Sequence, residues 1–178
     1  MKTRQQGLNL IELMVTLAVL AVLFGIGLPK FNSTILNNRS TALANELITA
    51  ANFARSEAVK RGVCVDLCAS EDGKTCSGKW TDGWIVRLVD DKKEVLRIWD
   101  PPRKGAVILL DGNAGGGLRF APLGDLAVFD ANNPTTCSTR ASNPAVITSY
   151  FDKCQGRQAR KINIAVSGRI SVNRVECP

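Results

Sequence analysis

From Leu8 to Leu28 the chain is an apolar run interrupted by few polar positions, and from Leu13 to Leu28 it carries no charge. As a helix this run would extend about 32 Å at the usual rise per residue, matching a bilayer hydrocarbon core of about 30 Å. The pattern predicts a membrane-spanning helix over 8–28. Residues 1–6 are polar and basic, and Lys2 and Arg4 hold the N-terminus on the cytoplasmic side. A secretory signal peptide would have a shorter apolar region followed by a small-residue cut site. Glu12 is the one violation, a carboxylate inside the membrane end of the run, where an ionised acid needs a partner.

Gly25, Gly27 and Pro29 mark a soft point, because glycine weakens a helix and proline removes a backbone donor. Beyond it the apolar positions change period. Leu43, Leu47, Ala51, Ala54 and Ala58 recur every three or four residues, with Arg39, Asn45, Glu46, Asn52, Arg55 and Glu57 on other faces. This predicts a half-buried amphipathic helix over about 31–60, whose alanine face admits close neighbours. After Gly62 the pattern turns to short β-branched and aromatic runs separated by turn residues: 63–67, 84–88, 95–99 and 106–110. Residues 118–120 and 127–129 add two further candidates, and 146–151, 161–166 and 169–175 complete the sheet. Asp90–Lys93 reads as a hairpin tip, 131–145 as a surface loop and Ser167-Gly168 as the last tight turn.

A chain of 178 residues holds one membrane segment and one globular domain of roughly 120–150 residues, large enough for a core. The net charge is +7 and there is no histidine. The absence removes histidine acid–base chemistry, Ser–His and Cys–His nucleophile pairs, and histidine-containing metal sites. No nucleophile or acid–base constellation is assembled elsewhere, so no enzymatic role, cofactor or metal is expected. The excess of cations favours an anionic partner or surface. Six cysteines, Cys64, Cys68, Cys76, Cys137, Cys154 and Cys177, all follow the apolar run. An even count after an export signal reads as up to three disulfides in an oxidising compartment, with the pairing open. Closeness favours Cys68 with Cys76, and Cys177 is placed to staple the C-terminal tail. A zinc site at Cys64, Cys68 and Cys76 lacks paired CxxC spacing.

The string Gly7-Leu8-Asn9-Leu10-Ile11-Glu12-Leu13 resembles the class III signal of type IV pilins and type II secretion pseudopilins, with Leu8 in place of the usual phenylalanine. The resemblance implies cleavage by a prepilin peptidase between Gly7 and Leu8, and N-methylation of Leu8. It also implies that Glu12 pairs with the N-terminal amine of a neighbouring subunit in a filament. Further strings narrow the resemblance to minor pilins of the FimT and FimU type and to pseudopilin H. They are Ala54-Arg55-Ser56-Glu57-Ala58-Val59, Leu67-Cys68, Asp82-Gly83-Trp84, Phe120 with Gly124, Cys154, Ala159-Arg160 and Gly168-Arg169. Trp84 and Phe120 read as core residues, and Arg55 with Glu57 as a solvated or interhelical pair.

The implied fold is α+β, a pilin fold: a long N-terminal helix, half transmembrane and half amphipathic, packed on an antiparallel β-sheet domain. Its segments are a leader at 1–7, a transmembrane helix at 8–28, an amphipathic helix at 29–61 and a periplasmic or extracellular disulfide-bearing β domain at 62–178. The implied function is that of a minor type IV pilin priming or joining pilus assembly near the tip. Its partners would be other major and minor pilins or pseudopilins, the prepilin peptidase and the inner membrane. Pseudopilin H of a type II secretion system is the alternative. A second alternative is a DNA-binding competence pilin, which resembles this chain in a basic C-terminal region holding Lys153, Arg157, Arg160, Lys161, Arg169 and Arg174. The related GRxR motif stands here as Gly168-Arg169-Ile170-Ser171, without its second arginine. Phosphate contact needs such cations, but no aromatic stacking platform is interleaved with them.

Overall fold

The computed structural model describes residues 9–90, 93–112, 116–131, 137 and 139–178, and no side chains over 25–31. One helix, α1, is assigned from Leu10 to Arg61, and the chain divides into two units, Met1–Leu36 and Asn37–Pro178. In the first unit the helix opens on Asn9, whose carbonyl accepts from the amides of Glu12 and Leu13 at 2.9 and 3.2 Å. The helix assignment carries through Gly25, Gly27 and Pro29. From Leu10 to Phe24 the apolar side chains are exposed on all sides.

In the second unit, α1 buries Ser40, Leu43, Ala44, Leu47, Ala50, Ala51, Ala54 and Ala58, an apolar stripe at helical spacing. It ends where Gly62 turns to φ +69, a left-handed conformation that glycine adopts without a Cβ penalty. Among the described residues nine strands follow: β1 (Val65–Ala69), β2 (Trp84–Leu88), β3 (Val95–Trp99), β4 (Ala106–Gly112), β5 (Gly117–Phe120), β6 (Leu126–Ala127), β7 (Ala145–Phe151), β8 (Ala159–Ile164) and β9 (Ile170–Val175). A 3-10 turn, Trp80–Asp82, precedes β2.

The strands form two antiparallel sheets instead of one. The first has the order β3-β2-β1-β5-β6 and the second β4-β7-β8-β9. The helix engages both, with Phe53 edge-on to Trp99 of the first sheet at 6.0 Å and Arg160 of the second bonded to Asn37 and Thr41. The sheets differ in cover. In β7, Ala145, Ile147, Ser149 and Phe151 alternate with half-buried residues, the signature of a sheet packed on one face. In β1 and β2 every residue is buried, so the centre of the first sheet is covered on both faces, while its edge strand β3 stays half-open.

The second cover is stapled down. Asp66 and Cys68 of β1, with Cys64 just before it, alternate with Val65 and Leu67 and share the face away from the helix. Cys64 is bonded to Cys137 and Cys68 to Cys76, and the carbonyls of Asp130 and Ala131 reach Arg119 and Arg87 on that face. Phe129 lies so close to Gly117 that a Cβ there would meet its ring at 2.7 Å. The third disulfide, Cys154–Cys177, ties the C-terminal tail beside β8. Between Cys68 and Cys76 the Asp72 carboxylate accepts from the amides of Lys74 and Thr75, both at 2.8 Å, and from the Thr75 hydroxyl at 2.9 Å. These bonds, the Thr75 amide first, hold its carboxyl well below the usual carboxylate range.

Candidate functional site

Glu12 lies in the first turn of α1, where the helix dipole favours a negative charge. It is surrounded by exposed apolar side chains, including Leu10, Ile11, Leu13 and Met14. An apolar surface open on every side is far larger than a soluble chain leaves uncovered, and it marks a surface made for association. Gly7 and Leu8, the implied cleavage and methylation positions, lie outside the described residues, as do the side chains of 25–28. Among the described residues no helix is long and apolar enough to cross a membrane.

A second constellation joins three distant motifs. Arg55 does not pair with Glu57. Its Nε donates to the Gly124 carbonyl at 2.9 Å, while Glu57 accepts from Arg61 at 2.6 Å. Gly124 lies on the β5–β6 turn with φ +80, and Gly168, on the β8–β9 turn with φ +76, packs so tightly that a Cβ would run into the Gly124 carbonyl. The geometry locks the helix and both sheets at one corner. Leu123 and Arg169 lie exposed beside it.

The basic residues near the C-terminus do not form one track. In the β8–β9 register Arg160 stands opposite Arg174 and Lys161 opposite Asn173, so alternation sends Lys161 to the other face. Arg160 is 6% exposed. One of its terminal nitrogens donates to Asn37 Oδ1 and Thr41 Oγ1 at 2.8 and 2.9 Å. Burial and the neighbouring Arg174 hold its guanidinium below the usual range. Arg160 is therefore a strut between sheet and helix, and not a surface cation for DNA. Arg174 also donates to Asn37 Oδ1, at 2.7 Å, and Arg157 donates to the Arg174 carbonyl at 3.1 Å. Lys161 and Arg169 remain exposed.

Sequence reasoning missed a buried ionic row on the outer face of the first sheet. Asp66 stands opposite Arg87 and opposite Arg119 in its two registers. Arg119 is 1% exposed and grips Asp66 with two bonds, Nε to Oδ1 at 2.7 Å and Nη2 to Oδ2 at 3.0 Å. It also donates to the Asp130 carbonyl at 2.8 Å. Arg87 approaches Asp66 only to 3.6 Å and donates to the Ala131 carbonyl at 3.2 Å. The signal was present: each of the three is a single charge inside an otherwise apolar strand run.

Residues 43–168 match the family described as Type II transport protein GspH, and residues 2–28 match the prokaryotic N-terminal methylation motif. Two crystal structures of the type IV minor pilin FimU from Pseudomonas aeruginosa share the fold. One is 21% identical with a TM-score of 0.57 and covers 76% of this chain and 89% of its own. The other is 20% identical with a TM-score of 0.54, covering 75% and 91%. The minor pseudopilin EpsH from the Type 2 Secretion System of Vibrio cholerae is 10% identical with a TM-score of 0.49, covering 76% of this chain and 97% of its own. No curated protein matches the chain.

Proposed function

The chain belongs to the GspH family of type II transport proteins, and from that premise we propose that it works as a minor type IV pilin. The observation that carries the reading is the junction, in one chain, of an N-terminal methylation motif with a GspH domain. Residues 1–7 are a leader and 8–28 a membrane anchor stored in the inner membrane, with the domain from 62 onward on the periplasmic side. Prepilin peptidase cuts between Gly7 and Leu8, and Leu8 is then methylated. The anchor leaves the bilayer for a filament, where the apolar side chains from Leu10 to Phe24 find like helices. There Glu12 pairs with a neighbour's N-terminal amine, because a carboxylate in an apolar bundle needs a cation. The work is association with other pilins near the tip, without catalysis.

The family description also names type II transport, and the alternative reading is pseudopilin H of a secretion system. Deleting the gene separates the two. Lost piliation or twitching with normal exoprotein release supports the pilus, and the reverse supports the secretion pseudopilus. Intact-mass and N-terminal analysis after co-expression with an active prepilin peptidase tests the shared premise. The expected product begins at Leu8 and carries one added methyl group. A chain that keeps residues 1–7 under those conditions would overturn it.

A further inference from the structure

The outer face of the first sheet holds a cleft of about 550 Å³, lined by Lys74, Thr75, Cys76, Arg87, Lys93, Glu94, Val95 and Ala131, within the range of pockets that hold ligands. It opens between the segment stapled by Cys68–Cys76 and the residue Ala131 that covers the ionic row. Arg87 forms its floor at 5% exposure. The row behind it places two guanidinium groups against one carboxylate, and Arg119 takes that carboxylate bidentately. Arg87 is left undercompensated, an unfavourable arrangement in a desolvated place. Among the described residues four buried side-chain atoms lack a hydrogen-bond partner: Trp84 Nε1, Arg87 Nε, Asp125 Oδ1 and Ser149 Oγ. Of these residues only Arg87 lines the cleft, and its unpaired Nε is itself buried beneath the cleft surface.

We propose that this cleft is a docking site for a carboxylate-bearing segment of a partner polypeptide. A guanidinium held 3.6 Å from a carboxylate that Arg119 already grips with two bonds matches a second carboxylate, and such charge-assisted bonds are short and strong. Lys74 and Lys93 add two cations at the rim, and among the described residues Glu94 is the one carboxylate in the lining, so the balance favours an incoming anion. Val95, Ala131 and the Cys76 side of the disulfide give the carbon stem of a glutamate or aspartate apolar surface to lie on. The site does not depend on whether the chain serves a pilus or a secretion pseudopilus.

The test uses the full chain, oxidised and in detergent micelles, and a short glutamate-rich peptide blocked at both ends. A glutamine peptide of equal length and inorganic phosphate are the controls. Titration is followed by peptide anisotropy and by the arginine Nε–H resonances. Saturable binding of the glutamate peptide alone, with the largest shift at Arg87, supports the proposal. Joint substitution Lys74→Gln and Lys93→Gln then weakens binding about threefold, as for exposed pairs. Arg87→Lys, which keeps the charge and loses the fork, weakens it roughly tenfold. Because Arg87 is buried, the two rim lysines keep the test informative if that variant fails to fold. Absence of saturable binding, equal binding of the glutamine peptide, binding of phosphate alone, or affinity unchanged by the lysine substitutions would each overturn it.

Discussion

The buried carboxylate of Asp66 is the residue on which the first sheet's outer face turns, since it serves two guanidinium groups at once. Asp66→Asn leaves two buried cations without a counter-charge. It should lower unfolding stability by about 3–5 kcal/mol, the cost of breaking a buried pair from one side. Urea unfolding of the full chain in detergent measures the loss. A variant that replaces Asp66, Arg87 and Arg119 together with apolar residues of similar volume should recover much of it. Asp72 gives the pH counterpart. Its folded carboxyl is depressed below the ordinary 3.8, chiefly by the Thr75 and Lys74 amides. The contribution is therefore present above that value and disappears as pH falls through the lower, folded one. Hydrogen exchange at Lys74 and Thr75 should stay protected down to about pH 4 and lose that protection only in stronger acid. Glu12 is tested by assembly: Glu12→Ala should still reach the membrane fraction but fail to enter filaments, and normal incorporation would sink the pairing role.

Among the elements, the turns and staples decide how the strands are held. Gly168 sits at φ +76 against the Gly124 carbonyl, so Gly168→Ala combines a strained backbone with a clash. A loss of about 1–3 kcal/mol, read by thermal unfolding, is the expected cost. The disulfides differ in leverage, since Cys64–Cys137 spans 73 residues and Cys68–Cys76 spans 8. In the loop-entropy picture, serine replacement of the first pair costs about 4 kcal/mol and of the second about 2.5 kcal/mol. Paired denaturation curves rank them, and the reverse order would point to local packing instead. Strand positions were legible at this scale: β2 and β3 fall where β-branched and aromatic runs lie between turn residues. β1 begins at Val65 and not at Val63, because the chain leaving the helix through Gly62 spends two residues reaching the sheet. The division into two sheets was not legible, because the runs show where strands are and not which ones pair.

For the whole molecule, the contrast lies between an apolar helical segment with no cover of its own and a compact domain whose first sheet is buried on both faces at its central strands. The prediction is a solubility split. The full chain should need detergent, while a chain beginning near Ser33 should remain monomeric without it and keep the Asn37–Arg160 contact. Sedimentation analysis with and without detergent checks this. Aggregation of the shortened chain would show that the domain depends on the first unit.

The sequence by itself determined the elements and the signal at the head of the chain, since both are written in local order: an uncharged run, a period of three to four, alternating strands, and a glycine followed by a leucine and a glutamate. Those features need no partner elsewhere to be read. Only the tertiary structure decided that Arg160 is a strut and that Asp66, Arg87 and Arg119 form one row. It also showed Arg55 reaching Gly124 across 69 residues of chain. A charge inside a strand run points to one face or the other, and whether that face meets water depends on segments far away in sequence. Here Asp130 and Ala131 lie over it, and burial turned three scattered charges into a single site.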